Sequence, residues 1–265
     1  NKLVSVARNN ENVKVTEESW KRVEDCRNML QSKIDAHEIM YGITTGIGEF
    51  SEVTLTPEQT QEFQKLLVRN HAAGIGDPMD IELVRGAMCG RINVHLKGHS
   101  GGRREITEYL QSVLNNEITP VVCEKGSVGA CGDLAPMSQI ALSLMGEGEM
   151  FVKGKITNSK KALEDIGLEP LELKARDGLA LINGSNVLTA LAALILYDAE
   201  RWMKMHDIAA AMSLEALKAN MKPYDEKCDK HMKLWTCSPP RRAGGGGAAG
   251  WGASPHSYIF SHSVF

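Results

Sequence analysis

The residues with the greatest chemical potential lie in the segment from Gly126 to Pro136, which reads GSVGACGDLAP. Cys131 stands between the small residues Ala130 and Gly132 in a glycine-rich turn, so the backbone can fold back on itself with little steric resistance. One possible chemistry is a thiolate nucleophile. The other is attack of the Gly132 nitrogen on the Ala130 carbonyl, which closes a five-membered ring that becomes an electrophile when the side-chain heteroatom leaves. A buried, unreactive cysteine is the ordinary alternative.

A helix is predicted directly after this segment. Asp133 is placed as its N-cap, Pro136 falls in the first turn, and an apolar run continues to Gly146. Cys131 therefore precedes a helix N-terminus, whose partial positive charge favours a thiolate.

Three other polar stretches could contribute to a site. Tyr41 begins the glycine-rich loop YGITTGIG, His71 ends a predicted helix, and Asn183 follows the apolar segment LALI. Each has an ordinary explanation when taken alone: a half-buried aromatic ring, a satisfied core histidine and an Asn-Gly turn.

Helical periodicity dominates the elements that must position these residues. A capping box formed by Thr56 and Gln59 starts one helix, and Asp80 opens a second that stops at Gly98. Further helices are predicted around residues 106–114, after residue 133, and at 187–205 and 206–220. A hairpin is expected at residues 150–152 and 155–157, with a short strand at 171–173. The fold is therefore predicted to be mainly α.

Composition narrows the function classes. The net charge of -3 provides no basic field for nucleic acid. The six cysteines contain no CxxC spacing, which disfavours zinc and disulfide frameworks and fits a reducing cytoplasm. The longest apolar run, at residues 187–197, is well short of the roughly 20 residues that cross a bilayer. A small-molecule substrate is expected, with no nucleic-acid or membrane partner and no metal.

The segment 126–137, together with Gly146, Glu147 and Gly148, resembles the signature of the aromatic amino acid ammonia-lyases and aminomutases. This family includes histidine, phenylalanine and tyrosine ammonia-lyases. Its members typically carry Ala-Ser-Gly, which cyclises and dehydrates to the electrophile 4-methylideneimidazol-5-one (MIO). Cys131 stands where serine is usual, and cysteine would give the same group by losing hydrogen sulfide instead of the second water.

The resemblance also implies roles for the other polar residues. Tyr41 would be the general base for the substrate's β-hydrogen, and Asn183 would position MIO and the substrate amine. His71, with Gly48, would bind the substrate; an imidazole at this position favours histidine or tyrosine over phenylalanine. No dissociable cofactor is implied. The remaining candidates are expected to be structural or interface residues: Arg91, His95, His99, Arg103 and Glu147.

The implied reaction is elimination of ammonia from an aromatic L-amino acid. An aromatic 2,3-aminomutase is the close alternative, and a hydrolase or transferase using a Cys131 thiolate is another. The resemblance covers residues 13–229, less than half of a family member, and the family's sites are assembled from several subunits of a homotetramer. An inactive fragment is therefore a further alternative.

The resemblance also predicts a division into domains. Residues 1–186 would form an N-terminal MIO-bearing domain with small β elements, and residues 187–230 would begin a long central helical bundle. Residues 231–265, which contain the glycine run 244–247, form a low-complexity tail that does not resemble the family.

Overall fold

The computed structural model describes residues 2–222, and helices dominate them. The helices are α1 Lys2–Arg8, α2 Glu17–Asp35, α3 Pro57–His71, α4 Ile81–His95, α5 Arg104–Asn115, α6 Leu134–Leu144, α7 Ser159–Glu164, α8 Asp177–Ile182 and α9 Asn186–Ala216. The predicted mainly α class is confirmed. The predicted low-complexity tail, residues 231–265, lies outside the described residues.

Five short strands accompany these helices. They are β1 Ile75–Pro78, β2 Ile118–Pro120, β3 Cys123–Lys125, β4 Glu149–Val152 and β5 Lys155–Asn158. β1 pairs with β3, while β2, β4 and β5 form a three-stranded sheet, and all pairings are antiparallel. The predicted hairpin is β4 and β5, with Met150 opposite Thr157.

The described chain separates into two compact units. One extends to Ile195 and contains the core; the other begins at Leu196. The second unit continues α9 and presents several large apolar side chains to solvent: Trp202, Met203, Met205, Ile208 and Met212. The predicted domain boundary between residues 186 and 187 stays a prediction. Within residues 2–222, no helix is both long enough and apolar enough to span a bilayer.

The predicted start of α3 is confirmed in detail. Thr56 Oγ1 accepts from the Gln59 N–H at 3.3 Å, and Gln59 Oε1 accepts from the Thr56 N–H at 2.9 Å. Two donors that the helix cannot satisfy internally are thus satisfied reciprocally, with Pro57 at the first helical position. α3 is thereby fixed at one end, and His71 is the last residue at the other.

α4 contributes to the core of the first unit. Its buried positions occur all round the helix and include Arg85, Arg91 and His95 as well as apolar residues. α4, α5 and α6 contribute most of the large side chains that are almost fully buried: Met88, Ile92, Ile106, Leu110, Leu114, Met137, Ile140 and Leu144. Each such side chain contributes about 1.5–3 kcal/mol relative to an exposed one.

Three expectations about the elements were wrong. α9 is continuous through residues 205 and 206, where two helices were predicted, because no proline or glycine interrupts that sequence. Residues 171–173 form no strand; the Leu171 N–H instead donates to the Leu144 carbonyl at the end of α6. α4 ends at His95, before Gly98, although Gly98 does adopt the left-handed conformation (φ 75°).

Candidate active site

The turn from Gly129 to Gly132 adopts a backbone conformation that few residues accept. φ is 74° at Gly129, 59° at Cys131 and 93° at Gly132. Glycine tolerates positive φ, whereas the left-handed conformation is unfavourable for a cysteine and requires support from its surroundings. Cys131 is exposed, so the turn presents it to solvent just before the N-terminus of α6.

Gly184 provides part of that support. A Cβ atom placed on Gly132 would lie 2.4 Å from the Gly184 carbonyl carbon, and the two glycines form an isolated parallel bridge. The Asp133 N–H donates to the Gly184 oxygen at 2.9 Å. The turn that follows Asn183 is therefore held directly against the Ala130–Gly132 tripeptide.

Asp133 occupies the predicted N-cap position of α6, but its side chain makes no hydrogen bond to that helix. Its Oδ2 accepts from the Leu188 N–H in the first turn of α9 at 3.0 Å, and its Oδ1 accepts from Ser127 Oγ at 2.9 Å. The predicted N-cap position is confirmed, but the carboxylate does not bond to α6, because its two oxygens accept from a different helix and from the preceding loop. Asp133 thus connects the loop before the tripeptide to the start of α9.

A cavity of about 230 Å³ brings His71 and the tripeptide together. Its lining is Asn70, His71, Ala73, Gly126, Val128, Ala130, Gly132, Leu134 and Ala135. Apart from Asn70 and His71, these are small or apolar residues, which suits an organic ligand held by a few polar groups. The predicted substrate-binding residue and two residues of the predicted electrophile therefore face one space.

The protonation pattern of His71 follows from its hydrogen bond. Its Nδ1 lies 2.8 Å from the Leu67 carbonyl oxygen, which can only accept. Nδ1 must therefore carry a hydrogen, and in the neutral ring Nε2 is left as an acceptor. His71 is half-buried. The cavity wall thus contains an imidazole whose tautomer is set by the helix on which it lies.

Close glycine packing fixes the segment that follows His71. A Cβ atom on Gly126 would lie 3.1 Å from the Gly74 Cα, and one on Gly74 would lie 2.5 Å from Gln139 Oε1. That same oxygen of α6 accepts from the Cys123 N–H at 3.0 Å. These contacts leave little freedom between the chain after α3 and the helix that follows the tripeptide.

Tyr41 and Gly48 lie in one loop and contact each other. The Gly48 N–H donates to the Tyr41 hydroxyl oxygen at 3.2 Å. A Cβ atom on Gly42 would lie 2.9 Å from Leu179 Cδ2, so this loop abuts α8. Tyr41 is 60% exposed and is not among the described residues that line the cavity. The structure places its loop beside α8, and the role of Tyr41 at the tripeptide stays a prediction.

Asn183 is the C-cap residue of α8, and its N–H donates to the Leu179 oxygen at 3.1 Å. It is half-buried and directly precedes Gly184, which contacts Gly132. The backbone of Asn183 is thus adjacent in sequence to the glycine that contacts the tripeptide, and its role stays a prediction. Sequence reasoning interpreted the following glycine as part of an ordinary turn and missed its contact with Gly132.

A buried imidazole and a buried guanidinium lie behind α8 and share one acceptor. His95 Nε2 donates to the Ala180 oxygen at 2.9 Å, while His95 Nδ1 accepts from Thr107 Oγ1 at 2.9 Å. Arg91 Nη1 donates to the same Ala180 oxygen at 3.1 Å. Burial, with a smaller effect of the Arg91 charge, lowers the pKa of His95 to about 3. His95 is therefore a neutral structural residue at physiological pH, in agreement with its predicted structural role.

Glu147 and Arg103 also have structural partners. Glu147 forms an ion pair with Arg69 of α3 at 2.6 Å, which helps to lower the pKa of the Glu147 carboxyl. Arg103 pairs with the fully buried Asp177 at 2.6 Å. None of these four residues is among the described residues that line the cavity.

Comparison with known proteins agrees with this architecture. The family profile of the aromatic amino acid lyases matches residues 1–234. The chain is 40% identical over 225 residues to a histidine ammonia-lyase from Alkaliphilus metalliredigens, an alignment that covers 85% of this chain and 44% of the relative. The chain thus spans less than half the length of this curated relative.

Solved structures of ammonia-lyases and aminomutases are similar to this one. The histidine ammonia-lyase of Trypanosoma cruzi superposes with a TM-score of 0.80 at 32% identity, covering 87% of this chain and 46% of that one. The tyrosine aminomutase of Streptomyces globisporus superposes with a TM-score of 0.79 at 34% identity, covering 84% and 42%. Because the family profile matches most of the sequence, the chain belongs to the aromatic amino acid lyase family.

Proposed function

We propose that this chain contributes the electrophile and the side-chain recognition wall to an ammonia-lyase that acts on an aromatic L-amino acid, with histidine or tyrosine favoured. The observation that carries the proposal is the shared cavity, whose lining includes His71, Ala130 and Gly132. The 40% identity to a histidine ammonia-lyase supports the same reaction class.

The electrophile would form from the chain itself. The Gly132 nitrogen attacks the Ala130 carbonyl carbon, and the carbonyl oxygen leaves as water with the N–H protons of Gly132 and Cys131. The Cys131 Cα–H and the thiol then leave as hydrogen sulfide, which creates a double bond between Cα and Cβ. The products are one MIO ring, one water and one hydrogen sulfide.

The residues present fit such a ring. Gly132 has a positive φ and no room for a Cβ atom, and Cys131 is held in the left-handed conformation. MIO, once formed, supplies an electrophilic methylidene carbon that can capture the substrate amine. The N-terminus of α6, immediately after the ring, stabilises negative charge that develops beside it.

His71 would select the substrate by its free acceptor. Because Nδ1 donates to Leu67, the neutral ring presents Nε2 as an acceptor, which pairs with the N–H of an imidazole or the O–H of a phenol. A phenyl ring offers no such donor and would leave this nitrogen unpaired at a cost of about 1–3 kcal/mol. This asymmetry favours histidine and tyrosine over phenylalanine.

Tyr41 would remove the substrate's β-proton, and Asn183 would position the amine. The Gly48 N–H, which donates to the Tyr41 oxygen, would orient the hydroxyl for this proton transfer. Gly48 would also contribute to substrate binding. A homotetramer would complete the site, and the cysteine pattern supports a cytoplasmic location.

Intact mass spectrometry tests the electrophile. We expect the peptide containing Cys131 to be lighter by one water and one hydrogen sulfide. Cys131→Ser should lose two waters at the same place, while Cys131→Ala should complete no second elimination. A folded wild-type protein with an unchanged peptide mass would refute the ring and favour a thiolate at Cys131.

Turnover is tested by ultraviolet absorbance of the arylacrylate formed from histidine, tyrosine or phenylalanine. The full-length protein and the 265-residue chain should be assayed in parallel. Absence of turnover in the short chain alone would support the inactive-fragment alternative.

A 2,3-aminomutase is the second candidate, and the similarity to a tyrosine aminomutase structure favours retaining it. The two activities differ only in whether ammonia returns to the β-carbon. Chromatography of the products decides between them, because a mutase accumulates the β-amino acid and a lyase accumulates the arylacrylate.

A further inference from the structure

Arg91 is a buried cation that uses only part of its hydrogen-bonding capacity. It is 2% exposed on α4, and its Nη1 donates to the Ala180 oxygen at 3.1 Å. Its Nε and Nη2 have no hydrogen-bond partner among the described residues. Burial of a charge with unused donors is costly, so a compensating role is expected.

The unused side of this guanidinium faces the turn that carries Asn183. A Cβ atom placed on Gly184 would lie 2.4 Å from Arg91 Nη2, so the guanidinium is in close contact with that glycine. Ala180 and Gly184 flank Asn183 in the sequence. Arg91 thus contacts the chain on both sides of Asn183, from the core of the first unit.

A carboxylate and an amide oxygen lie near the Arg91 guanidinium and could balance its charge and its unused donors. Burial lowers the pKa of Arg91 to about 10. The negative charge of the nearby Asp133 partly opposes that effect. The buried Oδ1 of Asn186, also without a partner among the described residues, would lie 3.1 Å from the same Gly184 Cβ atom. An unpaired donor, Arg91 Nη2, and an unpaired acceptor, Asn186 Oδ1, therefore both lie next to Gly184.

We propose that Arg91 is a positioning residue that holds the Ala180–Gly184 turn against Gly132, and thereby places Asn183 and favours closure of the tripeptide ring. The closure step rests on the proposed function, whereas the placement of the turn does not. Arg91 acts through Gly184, whose oxygen accepts from the Asp133 N–H and whose backbone lies against Gly132.

Amide hydrogen exchange in the full-length protein tests the placement directly. In Arg91→Gln, the Asp133 amide, which donates to Gly184, should exchange about tenfold faster than in the wild type. Arg85→Gln is the matched control. Arg85 is equally buried on the same helix, but it donates to Val6 and Leu114, away from the site.

A general loss of stability would affect both variants alike. Faster exchange at Asp133 in Arg91→Gln but not in Arg85→Gln supports the proposal, and equal exchange in the two overturns it. If Arg91→Gln does not fold, Arg91→Lys is compared with Arg85→Lys. A lysine cannot contact Ala180 and Gly184 with a planar fork, so unchanged exchange in Arg91→Lys overturns the proposal.

The mass change at the Cys131 peptide is followed in the same samples. It should appear more slowly in Arg91→Gln than in Arg85→Gln. A wild-type protein that never loses water and hydrogen sulfide refutes the proposed ring. The exchange comparison still decides whether Arg91 positions the turn, so the two failures are distinguishable.

Discussion

Gly132 lies so close to the backbone of Gly184 that it has no room for a side chain. A Cβ atom on Gly132 would lie 2.4 Å from the Gly184 carbonyl carbon, and one on Gly184 would lie 2.4 Å from Arg91 Nη2. The packing of Arg91 against Gly184, and of Gly184 against Gly132, therefore requires glycine at both positions.

Gly132→Ala should both destabilise the protein and prevent ring formation. The positive φ of 93° costs a non-glycine residue about 1–2 kcal/mol, and the clash with the Gly184 backbone adds to it. The measurements are the urea midpoint of unfolding and the mass of the Cys131 peptide.

Gly154→Ala is the control for the cost of placing a non-glycine residue at positive φ. Gly154 has a φ of 78° in the β4–β5 hairpin, and a Cβ atom there would meet nothing within 4 Å. It should lose stability through φ alone and keep the mass change. Equal stability losses in the two variants would contradict the tight packing of Gly132 against Gly184.

Tyr41→Phe should lower kcat by at least about 100-fold and leave the ring intact, because a general base contributes roughly that much or more. Tyr109→Phe is the control, since it removes a hydroxyl that donates to the Glu169 oxygen at 2.9 Å, remote from the cavity. Turnover is measured by absorbance and the ring by peptide mass. Retained activity in Tyr41→Phe would remove the base assignment.

His71→Leu should change the order of substrate preference towards phenylalanine. The Nε2 acceptor is lost, so kcat/KM for the imidazole or phenol substrate should fall about 10–100-fold, which corresponds to about 1–3 kcal/mol. Competition assays with the three amino acids measure the ranking. His99→Leu, at an exposed position outside the cavity lining, should leave it unaltered; an unaltered ranking in His71→Leu would refute the recognition role.

His95 should make the protein less stable in acid. Its pKa is about 3 in the folded protein and about 6.5 when unfolded, so the unfolded state binds the extra proton between these values. The stability it contributes is fully present above pH 6.5 and declines as pH falls towards 3. At pH 5 the loss should be about 2 kcal/mol relative to pH 8.

Urea unfolding at the two pH values measures this effect. His95→Gln should show a weaker pH dependence than the wild type, even if it is less stable at pH 8. His99→Gln, which replaces an exposed imidazole, should retain the wild-type dependence. The same pH dependence in His95→Gln and the wild type would contradict a neutral, buried His95.

Local signals in the sequence predicted a large part of the fold. The capping box at Thr56, the amphipathic pattern of α5 and the β4–β5 hairpin depend on neighbouring residues and were found where expected. The failures have a tertiary origin. The sequence motif around Asp133 is that of an N-cap, yet its carboxylate caps α9, which begins more than 50 residues later.

The sequence supplied candidate residues for the site but not their spatial arrangement. The resemblance identified His71 and the tripeptide, and the structure places them around one cavity. No pattern in the sequence could show that Gly184 lies against Gly132 or that Arg91 lies behind it, because these contacts join residues far apart in the chain. The expected approach of Tyr41 to the tripeptide stays a prediction.

Among the four cysteines within residues 2–222, Cys131 is exposed, whereas Cys26, Cys89 and Cys123 are half-buried. Cys89 is further protected, because burial raises the pKa of its thiol to about 11. A chain in which the proposed ring has not formed would thus expose a thiol to alkylating agents and peroxide at Cys131. The proposed maturation would eliminate that sulfur, so the same step that creates the electrophile would remove the exposed thiol of this region.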